Sequence, residues 1–490
     1  MASEKEITIS REEYTALKQQ NERLRQELAQ LKRMIFGSKS ERFISNEDPH
    51  QVSLFEQEYQ PEEEPKKEQK VDGYTREKKP KKQPLRSELP AHLPRREETI
   101  EPKNIPAGAK RIGETVTEVL EYHPSSLYVR RIVRPKYIID STDEKTNIII
   151  GALPPFPIPK GNAGSSLLAF LIVCKFVDHL PFYRIRKILK RLDFEVSEST
   201  LNGWFVLACN ILEPLYVTLR NEVLKSNYLQ ADETPMPVLT KDKPGSTHKG
   251  YQWVYHDPSR RLVLFDYRKS RGREGPNEIL ENFEGHLQTD GYVGYNKLKN
   301  GDKITLMACM AHARRYFDKA LDNDKARAQW MLTEMQKLYA IERSAKEKGL
   351  TIEQLYDLRQ QEAKPILDGM KKWMDEQIML VAPNSSIGKA ISYTLNLWDR
   401  LMRYIDNGAF CIDNNRIENS IRPVALGRKN YLFAGSHEAA QRAAMMYSFM
   451  ACCKFHDLEP FQWLNQTLAI ISDQDPKKLH ELIPGFKPLQ

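Results

Sequence analysis

The segment Tyr228-Leu-Gln-Ala-Asp-Glu-Thr234 begins the part of the chain that decides the fold. Its first residues are strand-like, and from here the predicted elements alternate between strands and helices. The further elements are a hairpin at 251–256 and 262–267, a helix at 276–283, strands at 285–290 and 304–309, and a helix after the last strand. Strands interleaved with helices predict a mixed α/β core around one sheet.

The order strand, strand, strand, helix, strand, helix, strand, helix is that of a ribonuclease-H-like sheet. In this order Asp232 ends the first strand and Asp290 ends the fourth, so that neighbouring strands bring the two acids together. The predicted core spans 227–450 and contains a helical insertion at about 322–400, because helix-favouring residues fill that stretch. A third acid, Glu418, follows the insertion.

Three carboxylates that converge from distant parts of a chain indicate a site for hard metal ions. Magnesium takes oxygen ligands, and two such ions stabilise the attacking and leaving oxygens of an in-line displacement. Most exposed acids have no such role, so the residues around these three carry weight. We predict that Asp232, Asp290 and Glu418 bind two Mg²⁺ (or Mn²⁺) ions and catalyse phosphoryl transfer on nucleic acid.

Side chains that suit phosphates and base edges cluster near these acids in the sequence. The candidate DNA contacts are His312, Arg315, Asn415, Arg416, Arg422, Arg428 and Lys429. For His312 the alternative is packing within a helix. Tyr431 and Phe433 either stack on bases or pack, and alternate spacing favours packing.

Residues 165–226 are predicted to form a helical domain that resembles a helix-turn-helix. Ser165 is predicted to cap the first helix, 182–192 to form the second, and Ser197 or Ser199 to cap the third. The second helix is basic and contributes Arg184, Lys187 and Lys190 as candidate DNA contacts. The alternative is an ordinary helical hairpin with a solvated basic face.

Residues 8–37 are predicted to form a short coiled coil. Tyr14, Asn21, Leu28 and Ile35 repeat every seven residues, with Leu17, Leu24 and Leu31 at the complementary offset. An Asn in the core fixes the register of the paired helices and disfavours higher oligomers. The prediction for this segment is a homodimer, with a larger assembly as the other possibility. The alternative is a single amphipathic helix that docks on the body.

Three other segments complete the multidomain prediction of the α+β and α/β classes. Residues 44–95 are charged and lack apolar periodicity, as in a disordered linker or an arm that follows phosphates. Residues 99–150 alternate like strands, including 115–122 and 127–137, and indicate a small β module. Residues 451–490 are predicted as a C-terminal helical tail.

The composition predicts a reducing compartment, and its modest basic excess is unevenly placed, so local basic patches matter more than the total charge. The net charge is +8, from 74 Lys and Arg against 66 Asp and Glu. The six cysteines form no Cys-x-x-Cys pair, so neither a disulfide framework nor a zinc site is predicted. The N-terminus is polar, and the longest apolar run, 167–174, is too short to span a bilayer. We expect a cytoplasmic, nucleoid-associated protein without membrane contact.

Five blocks of the sequence resemble a bacterial transposase family, the insertion sequence sixty-six family of the DDE class. They are Leu31-Lys-Arg-Met-Ile-Phe-Gly-Ser-Lys-Ser-Glu, Ala231-Asp-Glu-Thr, Thr289-Asp-Gly-Tyr, Cys309-Met-Ala-His-Ala-Arg-Arg, and Asn414-Asn-Arg-Ile-Glu-Asn with Gly427-Arg-Lys-Asn-Tyr-Leu-Phe-Ala-Gly-Ser. The resemblance covers nearly the whole chain in order. It implies a ribonuclease-H-like catalytic domain, a triad at Asp232, Asp290 and Glu418, metal-dependent cleavage of element ends, and strand transfer into target DNA. Companion proteins of the same element are also implied.

The chain departs from the family pattern in the β module. The family resemblance implies a cysteine-based zinc site before Arg134-Pro-Lys-Tyr, but this chain has no cysteine before Cys174. We therefore expect no zinc there. Two other functions stay open on the residues: a catalytically inactive, dimeric DNA-binding regulator, and a scaffold protein, which the 29 prolines and the charged linker allow.

Overall fold

The computed structural model describes residues 163–486, except 241–245, 297, 299 and 300. Before residue 163 it describes positions 20, 21, 24, 127–129, 136–139, 147–150, 156–158 and 161. Of the predicted coiled coil, Gln20, Asn21 and Leu24 belong to the described residues, and all three are helical. The predicted linker at 44–95 lies outside the described residues.

The chain divides into two compact units. One unit is Arg42–Arg131, and the other combines Met1–Glu41 with Ile132–Gln490. The larger unit contains a two-stranded hairpin of β1 (Lys136–Ile139) and β2 (Asn147–Ile150), which are antiparallel with Lys136 opposite Ile150. Both strands lie within the predicted β module, whereas its strand at 115–122 lies outside the described residues. Residues 127–129, predicted as part of a strand, are not in one.

Three helices follow where the sequence predicts a helical domain. They are α1 (Ser165–Phe176), α2 (Phe182–Lys190) and α3 (Glu198–Leu224). Ser197 caps α3, since its Oγ accepts a hydrogen bond from the Thr200 N–H at 3.0 Å. The predicted cap at Ser165 is wrong: that residue lies inside α1, and its hydroxyl donates to Asn465 at 2.7 Å.

The centre of the larger unit is a five-stranded mixed sheet with the order β5-β4-β3-β6-β7. The strands are β3 (Tyr228–Leu239), β4 (Thr247–Asp257), β5 (Leu262–Arg268), β6 (Gly285–Thr289) and β7 (Ile304–Ala308). β3, β4 and β5 pair antiparallel, whereas β3, β6 and β7 pair parallel. The predicted hairpin of the second and third strands is confirmed.

β3 is longer than the sequence predicts, because its pairing with β4 continues past Asp232 and through two prolines. Pro235 and Pro237 continue the antiparallel pairing with β4. The carbonyl of Pro237 accepts from the N–H of Ala434 on the side away from β4, so a proline nitrogen there removes no β3–β4 hydrogen bond. Pairing with β6 has ended before this point.

The remaining helices follow in chain order, and several of them lie in the region of the predicted insertion. They are α4 (Glu274–Ile279), α5 (Met310–Ala320), α6 (Lys325–Glu347), α7 (Ile352–Leu358), α8 (Lys364–Gln377), α9 (Ser386–Asn396), α10 (Trp398–Met402), α11 (Asn415–Tyr431), α12 (His437–Phe455) and α13 (Pro460–Ile470). α12 passes through residue 450, where the predicted core ends, so that boundary lies inside a helix. In the described part of the chain, no helix is long and apolar enough to cross a membrane.

Two buried clusters hold these elements together. One joins the sheet to α3 and α12 through residues such as Leu212, Phe265 and Tyr447. The other joins β7 and α5 to the inserted helices, and its members include Met307 and Phe317. The end of the inserted segment is therefore anchored in a core that begins at the sheet, and α11 follows directly from it.

Candidate active site

Asp232 and Asp290 lie side by side because of the register between two parallel strands. Gln230 of β3 is opposite Gln288 of β6, and each aspartate follows its glutamine by two residues. Side chains two residues apart in a strand point to the same face of the sheet. The two aspartates therefore leave the sheet on one face, at the point where the β3–β6 pairing stops.

The prediction that Asp232 ends the first strand is wrong in detail. Asp232 is opposite Val254, and β3 continues to Leu239 through its pairing with β4. β6 ends at Thr289, one residue before Asp290. The acids therefore mark the end of the parallel pairing, and the antiparallel half of the sheet continues beyond them.

Glu418 comes to this region on the first turn of α11, which packs against β3. A negative charge in the first turn is favourable because it faces the positive end of the helix dipole. The Glu418 Oε2 atom accepts a hydrogen bond from Arg315 Nη2 at 2.5 Å. Its Oε1 atom is buried without a hydrogen-bond partner and lies 3.8 Å from His312 Nε2.

The pKa shifts show that these carboxyl groups act on one another. Burial raises the pKa of Asp232 well above its usual value, and the carboxylates of Glu233, Asp290 and Glu418 raise it further. A single hydrogen bond, from the Glu233 N–H to Asp232 Oδ1 at 2.8 Å, opposes this effect. A half-buried acid beside three other acids favours any positive charge that neutralises it.

His312 is neutral in this arrangement. Burial and the Arg315 guanidinium lower its pKa, and the carboxylates of Glu418 and Asp290 oppose the shift. Arg315 has only donors, so His312 Nε2 accepts from Arg315 Nη1 at 3.2 Å and the proton belongs to Nδ1. The contact between His312 and Glu418 is therefore not an ion pair, in spite of its 3.8 Å separation.

Glu233 is an acid of this region that the sequence prediction did not single out. Its side chain is 2% exposed and is bound by Arg271, whose Nε donates to Glu233 Oε1 at 2.7 Å. Burial and Asp290 raise the pKa of Glu233, and Arg271 opposes them. Its position directly after Asp232 was the available signal, but an adjacent strand residue is expected to face the other side of the sheet.

The donor chemistry of the site suits magnesium, because its side-chain oxygens are those of carboxylates. The orphaned Oε1 of Glu418 and the crowded carboxyl of Asp232 are both relieved by a cation. In the described part of the chain, no three His, Cys, Asp or Glu side chains form a group spaced to hold one ion. Arg315 binds the Glu418 carboxylate and holds it in its present position.

The candidate DNA contacts fall into three groups. His312 and Arg315 lie beside Glu418, as described. Most of the others lie along α11: Asn415 Nδ2 donates to Asp413 at 2.8 Å, Arg428 donates to the Pro235 carbonyl, Arg422 is partly exposed, and Lys429 is exposed. Arg416, the fifth candidate on this helix, lies in its first turn and is exposed.

The third group is on α2 and is separate from the acids. Arg184, Lys187 and Lys190 are exposed, whereas Ile185 and Leu189 of the same helix are buried. Among the described contacts, no ion pair or hydrogen bond joins these three basic residues to the acidic cluster; Lys190, for example, pairs with Glu195 at 2.6 Å. This basic face is a distinct surface of the protein.

Packing is the observed role of Tyr431, one of the two aromatic residues near the end of α11. Its hydroxyl is hydrogen-bonded to that of Tyr447 in α12, and Lys175 lies 4.7 Å from its ring centre. Phe433 is 39% exposed. The prediction of packing is therefore confirmed for Tyr431.

Comparison with protein families assigns the chain to a class of DNA-rearranging proteins, the transposases. A family model described as "Transposase IS66 family" matches residues 160–442, which include all three acids. A second model, described as "Transposase C of IS166 homeodomain", matches residues 23–97. The chain belongs to the IS66 transposase family, and the resemblance seen in the sequence is confirmed.

Similar full-length proteins occur in Sinorhizobium fredii. "Uncharacterized protein y4jD" is 30% identical over 469 residues, which is 91% of this chain and 91% of the relative. "Uncharacterized protein y4hP" is 31% identical over 399 residues, covering 76% of this chain and 71% of the relative. The names of these relatives assign no activity. The reaction therefore has to be inferred from the candidate site.

Proposed function

We propose that this protein is a DDE transposase that cleaves DNA at the ends of an insertion sequence and transfers the cut strand into target DNA. In this reaction water cleaves a phosphodiester at the element end, and the released 3′-hydroxyl attacks a phosphodiester of the target. The observation that carries the proposal is the β3–β6 register, which puts Asp232 beside Asp290 on one face of the sheet. Glu418 faces the same acids from α11.

The topology supports a ribonuclease-H-like core. In chain order the five strands form a sheet with the arrangement third, second, first, fourth, fifth. The first three strands are antiparallel, and the fourth and fifth run parallel to the first. The first and fourth strands are neighbours, as the predicted element order requires. We therefore propose that the helices from 325 to 402 are an insertion between the last strand and the helix that carries Glu418.

In the proposed site, Asp232, Asp290 and Glu418 would hold Mg²⁺ or Mn²⁺ ions. Bound divalent ions would stabilise the charge that develops on the attacking and leaving oxygens. Arg315 binds Glu418, and the Arg315 side chain is 41% exposed, within reach of a DNA phosphate. His312 accepts from Arg315 and so fixes the guanidinium from its other side.

DNA is the proposed partner of two surfaces. The basic face of α2 would contact the element ends, and the exposed residues of α11 would contact the strand that reacts. Phosphate contacts position the duplex without reading its sequence. Homodimerisation or a larger assembly through residues 8–37, companion proteins of the same element, and nucleoid association are part of the same proposal.

The test is cleavage of DNA that carries the element ends, with Mg²⁺ present. We expect Asp232→Asn to lower the cleavage rate by at least about 10³-fold, because it removes a charged metal ligand at the reacting centre. Binding of the same DNA, measured by gel shift, should be unchanged. The control is Glu284→Gln, an acid that is 63% exposed in a surface pair with Lys303. Cleavage at the wild-type rate in Asp232→Asn contradicts the proposal.

The exposed basic face of α2 also supports a second candidate, a DNA-binding regulator without catalysis. A regulator would bind the element ends equally with Mg²⁺ and with a chelator, and it would cut neither strand. The wild-type protein decides between the two functions in the cleavage experiment: cleavage that depends on Mg²⁺ supports the transposase, and tight binding without cleavage supports the regulator.

A further inference from the structure

Two fully buried glutamines lie directly beneath the catalytic aspartates. Gln230 and Gln288 are 0% exposed and face each other across the β3–β6 pairing. Gln230 Nε2 donates to Gln288 Oε1 at 2.8 Å. Each is two residues before an aspartate and on the same face of the sheet, so this bond ties together the two strand segments that carry Asp232 and Asp290.

The same two side chains also bind the segment that leads to the third acid. Gln230 Nε2 donates to the carbonyl of Asp413 at 2.9 Å, and Gln288 Nε2 donates to the carbonyl of Cys411 at 2.8 Å. Residues 411–413 come immediately before α11, whose first turn carries Glu418. A single side-chain pair thus contacts all three segments that supply the triad.

Every polar atom of the pair is used, which fixes the orientation of both amides. Gln288 Oε1 also accepts from the Tyr228 hydroxyl at 2.7 Å, and Gln288 Nε2 also donates to the Ala308 carbonyl at 3.3 Å. Gln230 Oε1 accepts from His256 Nδ1 at 3.0 Å. Each amide nitrogen faces backbone carbonyls, so reversing either amide would put oxygen against oxygen. A buried network in which each group is satisfied defines one geometry.

We propose that Gln230 and Gln288 are positioning residues that set the spacing of Asp232, Asp290 and Glu418 and thereby the affinity of the site for divalent ions. This inference rests on the proposed function. The two glutamines do not touch the reacting atoms; they act through the strands and the 411–413 segment. Residues that orient metal ligands typically contribute about 10- to 100-fold to metal affinity.

The experiment measures Mn²⁺ binding to the full chain by titration calorimetry, together with thermal unfolding of each variant. Gln288→Met keeps the length of the side chain and removes all four hydrogen bonds, and we expect it to weaken Mn²⁺ binding at least about tenfold. Tyr228→Phe is the milder variant: it removes the hydroxyl that donates to Gln288 and accepts from the Cys411 N–H at 3.1 Å. We expect a smaller weakening from it.

The matched control is Gln252→Met. Gln252 is also a fully buried glutamine of the same sheet, but its Nε2 donates to the Ala440 carbonyl of α12 at 2.9 Å and not to the 411–413 segment. It should lower the unfolding temperature and leave Mn²⁺ affinity unchanged. If Gln288 only stabilised the fold, Gln288→Met would likewise lower the unfolding temperature and leave the Mn²⁺ affinity unchanged.

The outcomes separate the inference from the proposed function. Wild-type affinity in Gln288→Met, with binding abolished by Asp232→Asn, overturns the positioning role and leaves the metal site in place. Equal weakening in Gln252→Met also overturns it. If the wild-type protein binds no Mn²⁺, the proposed function fails and the inference fails with it. If Gln288→Met does not fold, Tyr228→Phe decides, and unchanged affinity there overturns the inference.

Discussion

The two halves of the central sheet differ in how far their pairing extends. β3 pairs with β4 over ten positions, from Gln230 to Leu239, but it pairs with β6 over three, from Tyr228 to Gln230. The antiparallel half is therefore a long, continuous surface. The parallel half stops early, and carboxylates stand where backbone pairing ends.

The difference assigns separate tasks to the two halves. The antiparallel half supplies stability, because β5 is buried and its outer edge is covered by α12. The parallel half supplies a site, because strands that end side by side leave side chains of both at one place. Changes to one half should therefore affect stability, and changes to the other should affect metal binding and cleavage.

The largest expected effect on stability comes from the antiparallel half. Phe265 of β5 is fully buried, 5.8 Å from the ring centre of Tyr447. Phe265→Ala should lower the free energy of unfolding by about 3–5 kcal/mol, because it leaves a cavity. Denaturant unfolding measures this, and Mn²⁺ affinity in the folded variant should be unchanged. Phe433→Ala, at a 39% exposed phenylalanine, is the control. Loss of Mn²⁺ affinity in folded Phe265→Ala would show that the two halves are not separable.

A smaller effect is expected at the edge of the same half. The Phe265 N–H donates to Ser448 Oγ at 2.8 Å and the Val263 N–H to Cys452 Sγ at 3.2 Å. Four residues of helix advance about 6 Å and two residues of strand about 6.6 Å, so the spacings match. α12 thus satisfies an edge that would otherwise be open.

Ser448→Ala should cost about 1–3 kcal/mol of unfolding free energy, because it leaves the Phe265 N–H buried without an acceptor. The control is Thr333→Ala on α6. The hydroxyls of Ser448 and Thr333 each donate to the carbonyl four residues earlier in their helix. Thr333 differs in being exposed. If Ser448→Ala and Thr333→Ala change the free energy of unfolding equally in denaturant, α12 covers the outer edge of β5 by packing alone.

The sequence predicts the fold best where the pattern is local. The β4–β5 hairpin follows from the strand-like stretches on either side of Asp257-Pro-Ser, and the Ser197 cap follows from residue type. The end of β3 was missed, because the strand continues past the predicted end at Asp232 through Pro235 and Pro237. Whether a missing N–H matters depends on which side of the strand faces a neighbour, and that is set by tertiary pairing.

The sequence suggests the three acids of the candidate site, but it does not suggest the residues that contact and position them. Asp232, Asp290 and Glu418 stand in distinctive sequence blocks, and those surroundings, together with the carboxylate chemistry, suggest a metal site. Gln230 and Gln288 resemble ordinary strand residues, and only the register shows that they face each other. The role of Glu233 could not be predicted without the position of Arg271, because the two residues are in contact but lie 38 positions apart in the sequence.

An effect on stability of the opposite sign is expected from the carboxylates where the β3–β6 pairing ends. Burial and neighbouring acids raise the pKa of Asp232 in the folded state. In the unfolded chain the pKa of an aspartate is about 3.9, so the folded state keeps the Asp232 proton to a higher pH. Wild-type stability should therefore fall as the pH rises above that value. Asp232→Asn should be more stable than wild type at pH 8 in the presence of a chelator, and the gain should vanish below the unfolded-state pKa.

Thermal unfolding at several pH values, with EDTA or Mg²⁺, measures this difference. Magnesium should stabilise the wild type and leave Asp232→Asn unchanged, because a ligand stabilises only the state that binds it. Glu284→Gln, the exposed control, should follow the wild type in both conditions. If Asp232→Asn is less stable than wild type at pH 8 in EDTA, Asp232 contributes to the fold in the way residues of the antiparallel half do. The division of tasks between the two halves would then be wrong at its central residue.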